Sequence, residues 1–447
     1  MTKHSLATVI LAAGHGARMR SQTPKVLHEI AGRSMLGHVM AAAAELTPER
    51  KAVVIGDHAP GVGDAARAID PDIVVGVQAP PRGTGDAVMK SAPALEGFEG
   101  VVLVLYADTP FVSSETMRRL AGEVEAGAHV AVLGFRPADP GAYGRLKRGD
   151  DDALEAIVEA KDASPEELKI GLVNSGVMAF DAAFLRRGLP QLTDDNAKRE
   201  FYLTDLVAIA RAENGRAAIV EASPDEVMGV NSRVELAAAE AAYQEARRAD
   251  VMRAGVTLID PGTVYFSHDT KIETDVIIEP GVYFGPGVAI ASGARVKAYS
   301  HLEGCHVGAG AQVGPFARLR PGTDLGAEVK IGNFVEVKNA RLEAGAKASH
   351  LSYIGDARVG AEANVGAGVI TCNYDGYAKH QTDIGAGAFV GSNSALVAPV
   401  AVGEGAYVGS GSVITRNVPD DALSVARGRQ RDIPGWAAKA RDARKKP

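Results

Sequence analysis

The chain has 447 residues, 46% apolar and 23% charged, with 48 Lys+Arg against 55 Asp+Glu and a formal net charge of −7. At ~100–200 residues per domain this length implies two or three domains, and the composition excludes a wholly disordered or fibrous chain. The acidic balance offers no basic footprint for nucleic acid, and no apolar run reaches the ~18 residues of a membrane span. Two cysteines, Cys305 and Cys372, are too few for a disulfide framework, so a cytoplasmic protein without nucleic-acid or membrane partners is expected. Of 51 glycines, 23 precede residue 251 and 28 follow in the shorter remainder, so the two parts are built differently.

In the first part, β-branched runs recur at residues 7–11, 52–55, 73–77, 101–105 and 130–133, separated by segments of helical spacing such as 35–46 and 86–94. Apolar strands alternating with helices predict a parallel sheet covered on both faces, with ligands beyond the carboxyl ends of its strands. The run at 6–13 also has the length of a signal-peptide core, but a glycine-basic motif follows at once and needs that strand. The motif is Leu11-Ala12-Ala13-Gly14-His15-Gly16-Ala17-Arg18-Met19, then Pro24-Lys25. Its glycines allow a tight turn whose backbone N–H groups can face a phosphate. Met19 stands where a dinucleotide fingerprint has its third glycine, and no Gly-Lys-Ser/Thr of a Walker loop follows. What remains is a glycine loop with two cations, Arg18 and Lys25; the ordinary alternative is a strand-to-helix turn with solvated basic residues.

After the third run, Gln78 leads to Arg82-Gly83-Thr84-Gly85-Asp86-Ala87, small residues and a hydroxyl before a helix. After the fourth, Tyr106-Ala107-Asp108 puts a carboxylate just past a buried strand. Such an aspartate suits Mg²⁺, which takes few protein oxygens and fills its shell with water and phosphate; a helix or turn cap is the alternative.

Together with Tyr143-Gly144-Arg145, Val158-Glu159, Asn174-Ser175-Gly176 and Gly229-Val230-Asn231, these motifs resemble sugar-1-phosphate nucleotidyltransferases over about residues 5–235. Among these, the chain resembles the uridylyltransferase half of the bifunctional N-acetylglucosamine-1-phosphate uridylyltransferase/glucosamine-1-phosphate acetyltransferase family. Ala107 departs from it, standing where the family usually has glycine. The resemblance implies a Rossmann-like α/β domain at residues 1–231, in which a sugar phosphate attacks the α-phosphorus of UTP and pyrophosphate leaves. Such a transfer needs positioning and charge neutralisation more than a protein nucleophile. By the same resemblance, Arg18 and Lys25 act catalytically on the triphosphate and leaving group, and Asp108 and Asn231 hold Mg²⁺. Leu11, Ala12, Ala13 and Gly14, with Gln78, Gly83 and Thr84, grip uracil and ribose. Tyr106 and Ala107 belong to the same nucleotide-sugar site, and Gly144, Glu159 and Asn174 read the sugar.

Ser232 followed by Glu235 is a capping-box signature, and it opens an alanine-rich helix over 232–254 that serves as a linker. Beyond it, aliphatic residues recur every six positions: Val276, Val282, Val288; Ile290, Val296, Leu302; Val307, Val313, Leu319, Leu325, Ile331, Val337; and Ile384, Val390, Leu396, Val402, Val408, Ile414. Period six fits neither helix nor strand and marks a stacked solenoid with one inward aliphatic per short side. The pattern resembles the hexapeptide repeats of left-handed parallel β-helices, which implies a β-helical acetyltransferase domain at 255–447 and a homotrimer. The period breaks between Thr371 and Ile384 at a polar, aromatic insertion, which reads as a loop reaching a neighbour or as a tolerated surface insertion. His350 is expected to interrupt the aliphatic pattern.

The segments Arg318-Leu319-Arg320-Pro321-Gly322, Gly332-Asn333-Phe334-Val335-Glu336-Val337-Lys338 and Thr371-Cys372-Asn373-Tyr374-Asp375-Gly376 resemble the acetyltransferase half of the same family, over about residues 255–428. Acyl transfer from a thioester to an amine needs a base working near neutrality, and His350 is the natural one, with a reference pKa of ~6.5. The resemblance implies that Arg320 and Lys338 clamp the sugar phosphate with Tyr353 and Asn364 on the sugar. Ala367, Asn373, Tyr374, Ser392, Ser410 and Arg427 would line the acetyl-coenzyme A groove; Ser410 stands where alanine is common. No acyl-enzyme is expected, and Cys305 and Cys372 read as buried small residues. The basic end, from Arg441 on, reads as a frayed tail. Two rival readings remain: a nucleotidyltransferase whose β-helix is only a trimerising or regulatory scaffold, and a metal site built from His301, His306 and His350.

Overall fold

Apolar runs become strands where alternate residues can be buried on opposite faces. In a computed structural model describing residues 5–149, 153–196 and 198–444, the five runs form β1 (Leu6–Ala12), β2 (Arg50–Gly56), β3 (Val74–Gln78), β4 (Val101–Tyr106) and β5 (Ala128–Phe135). The structure divides into two compact units, Met1–Tyr243 and Gln244–Pro447. In the first, β1 pairs in parallel with β2 and β4, and β2 with β3. Ile10 and Val53 enter one buried cluster while Val9 and Val54 enter another, so the sheet is covered on both faces.

The five strands read from sequence run parallel to one another, and the sheet also takes in antiparallel strands. Three further strands, β6 (Arg145–Arg148), β7 (Leu154–Val158) and β8 (Val173–Asp181), are antiparallel, and β8 inserts between β4 and β5. A last strand, β9 (Arg216–Ala222), runs parallel to β5 at the edge. The register of β8 shifts between Asn174 and Met178, a bulge that breaks the alternation by which a strand is read from sequence. The helix expected over 35–46 is Met35–Ala44, with Ser34 Oγ capping it by accepting from the Gly37 amide at 3.1 Å. The helix expected over 86–94 is two short ones, Thr84–Met89 and Ala92–Leu95; Pro93 has no N–H to continue the first and opens the second.

The helix expected over 232–254 is Arg233–Arg253. Ser232 Oγ accepts from the Glu235 amide at 3.3 Å, but the Glu235 carboxylate returns to the amide of Asn231, at 2.7 Å, rather than to that of Ser232. The cap therefore orients Asn231.

The second unit is a left-handed parallel β-helix. Each coil consists of three short strands stacked in parallel on the next; in one side, Arg295, Gln312, Lys330, Lys347 and Asn364 are successive partners. All the six-periodic aliphatics lie in one continuous buried cluster, none more than 3% exposed. The inward position near His350 belongs to Ala348, fully buried, and His350 points outward. The expected interruption is thus corrected: the period continues through Leu342, Ala348 and Ile354, with alanine too small to register as a repeat aliphatic. Where the chain turns between sides, non-glycine residues adopt left-handed backbone, among them Tyr299, Phe316, Phe334 and Leu351 at φ 57°, 56°, 56° and 52°. Of the basic end read as a frayed tail, Arg441–Arg444 close an exposed helix, Trp436–Arg444, and residues 445–447 lie outside the described residues.

Candidate active sites

In the first unit a cavity of about 450 Å³ opens at the carboxyl ends of β1, β3 and β4. Leu11, Ala12, Ala13, Gly14, Lys25, Gln78, Gly83, Thr84, Tyr106, Asp108, Glu159 and Asn174, all singled out in the sequence, line it. Gly16 has φ 61° and a Cβ there would fall 2.6 Å from the Cβ of Lys25, so this position requires glycine for Lys25 to reach the cavity. Lys25 Nζ donates to Asp108 Oδ2 at 2.5 Å and to Asn231 Oδ1 at 3.0 Å. The amide of Val230 donates to the Asp108 carbonyl at 2.9 Å, tying the two oxygen-bearing segments together. Two oxygens thus converge on one cation-sized point, a donor set of the kind Mg²⁺ takes when phosphate and water supply the rest of its shell.

Gln78, 4% exposed, donates both hydrogens of its amide, to the Gly83 carbonyl and to Asp86 Oδ2, each at 2.9 Å. Two acceptors fix the orientation of that amide and leave its oxygen as the group available to a ligand. Burial, helped by the charges of Asp108 and Glu159, pushes the Tyr106 phenol well above its ordinary value, so it stays a neutral hydroxyl. Gly144 stands behind Glu159, where a Cβ would be 3.6 Å from Glu159 Oε1, and its carbonyl accepts from the Asn174 amide at 2.8 Å. Four expected residues do not line the cavity: Gly144 and Asn231, described above, and Ala107 and Arg18. Ala107 is fully buried with its amide donated to the Leu11 carbonyl, and Arg18 lies on the exposed turn Ala17–Met19. His15, Pro81, Lys198, Glu200, Tyr202 and Thr204 also line the cavity; the last four lie in irregular chain with no periodicity to mark them.

In the second unit, Tyr353 follows His350 by three residues, on the side of the prism that His350 borders. A Cβ at Gly355 would fall 2.3 Å from the Tyr353 hydroxyl, so glycine there lets the ring lie flat. Asn373 Nδ2 reaches that hydroxyl at 3.4 Å and Asp356 Oδ2 at 2.5 Å. The Lys379 ammonium close beside it, and then Arg320, push the Lys338 ammonium below its ordinary value. Burial alone would raise the Asp356 carboxyl, but Asn339, Asn373 and the two ammonium groups outweigh it and hold Asp356 low. Lys338 and Lys379 face Asp356, and Arg320 Nη1 donates to Glu336 at 2.8 Å, so three cations meet two carboxylates and positive charge is left over for a phosphate. Lys379 was not singled out by sequence. It comes from the insertion after Thr371, which closes on itself through the Tyr374–Lys379 bridge and the His380 amide bonded to the Asn373 carbonyl at 2.8 Å.

His350, Ala367, Ser392 and Ser410 stand one above another on successive coils. The Gly368, Asn393 and Gly411 amides donate to the carbonyls of His350, Ala367 and Ser392 at 3.2, 2.7 and 2.8 Å, and Arg427 Nη1 donates to the Ser410 carbonyl at 2.8 Å. The bulky corners Tyr299, Phe316, Phe334 and Leu351 give way above His350 to the smaller Gly368, Asn393 and Gly411. Asn364 starts the strand beside Ala367, and Tyr374 is 61% exposed. No hydrogen bond joins His350 to the Arg320–Lys338–Lys379 cluster among the described residues. His301 stacks on Tyr283 and His306 pairs with Asp324, so the three histidines of the metal reading have separate partners. Cys305 is buried, its thiol pushed up to about 12 by burial, whereas Cys372, expected to be buried, is half-exposed.

The MobA-like NTP transferase domain family matches residues 8–164 and the bacterial transferase hexapeptide (six repeats) matches residues 382–416. The bifunctional protein GlmU of Azorhizobium caulinodans is 55% identical over 447 residues, covering 100% of both chains. The GlmU proteins of Rhizorhabdus wittichii and Parvibaculum lavamentivorans are 58% and 57% identical, over 100% and 98% of this chain and 98% and 97% of theirs. The chain belongs to the GlmU family. A solved inositol-1-phosphate CTP transferase from T. maritima covers 53% of the chain at 14% identity and TM-score 0.42, too slight a likeness to carry an argument. GlmU chains join a uridylyltransferase to an acetyltransferase, and this chain is such a bifunctional transferase, which sets aside the scaffold-only reading. Among the described residues no helix is long and apolar enough to cross a membrane.

Proposed function

We propose that the cationic cradle at the strand ends and the His350 column divide the synthesis of UDP-N-acetylglucosamine between them: the second unit acetylates glucosamine-1-phosphate, and the first transfers UMP to the product. The observation that carries this division is the convergence of Asp108 and Asn231 on Lys25, at the cavity that Gln78 also lines. Uracil carries a donor at N3, so an acceptor-only Gln78 receives it, while cytosine would present an acceptor to an acceptor. The backbone of residues 11–14, with Gly83 and Thr84, lies along the ribose, and Glu159, Asn174 and Gly144 take the sugar hydroxyls and acetamido group. Bound at Asp108 and Asn231, Mg²⁺ would neutralise and hold phosphate oxygens. Lys25 then exchanges those two oxygens for the triphosphate, and Arg18 meets the leaving pyrophosphate from its exposed turn. Charge neutralisation and in-line positioning suffice for this step.

In the second unit, Arg320, Lys338 and Lys379 hold the sugar phosphate, with Tyr353 and Asn364 on the sugar, and His350 takes the proton of the attacking amine. Asn373 and Tyr374 border the thioester. At ~4.8 Å per coil the column from His350 to Ser410 runs about 14 Å, and Arg427 about one coil further, a span suited to an extended pantetheine arm with phosphates at its end. A homotrimer is supported by the exposed ladder Tyr299–Phe316–Phe334, with ring centroids 5.2 and 5.3 Å apart. The functional division follows residues 1–231, the helix 232–254 and residues 255–447, in a cytoplasmic enzyme. The test supplies purified protein with UTP, Mg²⁺, acetyl-coenzyme A and glucosamine-1-phosphate. UDP-N-acetylglucosamine and pyrophosphate are expected; formation of neither acetylated sugar phosphate nor UDP-sugar refutes the proposal.

A further inference from the structure

We infer that Asn333, one coil below His350, is a positioning residue that fixes the tautomer and direction of the His350 ring during acetyl transfer. The inference rests on the reading of His350 as the base. Asn333 closes the strand Lys330–Asn333 and pairs directly with His350 in the register of Lys347–His350. Its side-chain oxygen lies 2.9 Å from His350 Nδ1. An amide oxygen only accepts, so Nδ1 carries the ring hydrogen and Nε2 presents its lone pair outward. That is the state a base needs. As the amine nitrogen bonds to the thioester carbon and the C–S bond breaks, a proton leaves the nitrogen for Nε2 and passes to the departing thiolate.

The coils approach closely here because of the residue beside Asn333. A Cβ on Gly332 would sit 1.8 Å from the Ser349 carbonyl oxygen, closer than any side chain can stand. Glycine at 332 thus lets the backbone of Asn333 lie against that of His350, and the Leu351 amide donates to the Asn333 carbonyl at 3.1 Å. The charged groups on the packed strands are Lys330 and Lys347, the latter paired with Glu362 at 3.5 Å; the corners Phe334, Leu351 and Gly368 are uncharged. A neutral amide therefore orients the ring without holding it in the charged form, which a carboxylate at the same position would do.

The experiment measures acetyl transfer by the full chain over pH 5.5–9 for Asn333→Ala, Asn333→Asp and His350→Ala, with thermal unfolding to confirm folding. Asn333→Ala is expected to lower kcat about 10- to 100-fold, part of what a positioned base supplies, with KM for acetyl-coenzyme A unchanged. Asn333→Asp is expected to recover much of that rate, with the acid limb of its kcat/KM profile moved to higher pH. If His350→Ala is inactive but Asn333→Ala keeps the native kcat, or Asn333→Asp shows neither recovery nor a displaced limb, the positioning role is overturned. If His350→Ala stays active, the reading of His350 itself fails.

Discussion

At Gln78 the number of hydrogen bonds decides the chemistry. A primary amide has two hydrogens, and Gly83 and Asp86 take both, so selectivity for the base rests on the one remaining oxygen. Gln78→Leu keeps most of the volume and removes that acceptor. It is expected to lower kcat/KM for UTP about 10- to 100-fold in a uridylyl-transfer assay, the cost of an unpaired hydrogen-bonding group on the bound base. An unchanged kcat/KM would mean that uracil is read elsewhere. Glycines also act as single residues: Gly16 and Gly332 stand where a Cβ would strike Lys25 or the Ser349 carbonyl, and each adjoins a proposed functional side chain.

At the scale of elements, the coil and the strand end do different work. A coil buries its inward aliphatics only against its neighbours, so stability adds coil by coil. Leu319, fully buried, is expected to lose about 2–5 kcal/mol of unfolding stability as Leu319→Ala, measured by denaturant midpoint at constant slope. The outward neighbour Arg318→Ala is expected to change it by about 0.5 kcal/mol or less. Equal losses at both positions would contradict the prism. What sequence made legible follows from the same geometry. The six-residue period was readable because each side takes one aliphatic inward, and the strands β1, β2, β4 and β5 were readable because burial on both faces needs unbroken apolar runs. The antiparallel β8 was not, because the bulge after Asn174 breaks its alternation. Nor was the cavity wall at residues 198–204, which is irregular chain. Asn333 and Lys379 also escaped notice, since their partners lie 17 and 41 residues away; for Asn333, the offset of one coil was a signal that could have found it.

Across the whole molecule, two chemistries with different needs are held by two architectures. Phosphoryl-type transfer wants converging donors and cations, which loops at the ends of parallel strands provide. Acyl transfer from a long carrier wants a straight groove with a base at one end, which stacked coils provide. The motifs on the glycine loop and the hexapeptide period announced both from sequence, whereas the tautomer of His350 and the orientation of Gln78 are three-dimensional facts. The most direct measurement assays both half-reactions on the same preparations of His350→Ala and Asp108→Ala. The expected result is reciprocal: the first converts N-acetylglucosamine-1-phosphate to UDP-sugar but no longer acetylates, and the second acetylates but accumulates the sugar phosphate. Loss of both reactions in either variant, with the fold intact, or of neither in both, would contradict two separate sites in one chain.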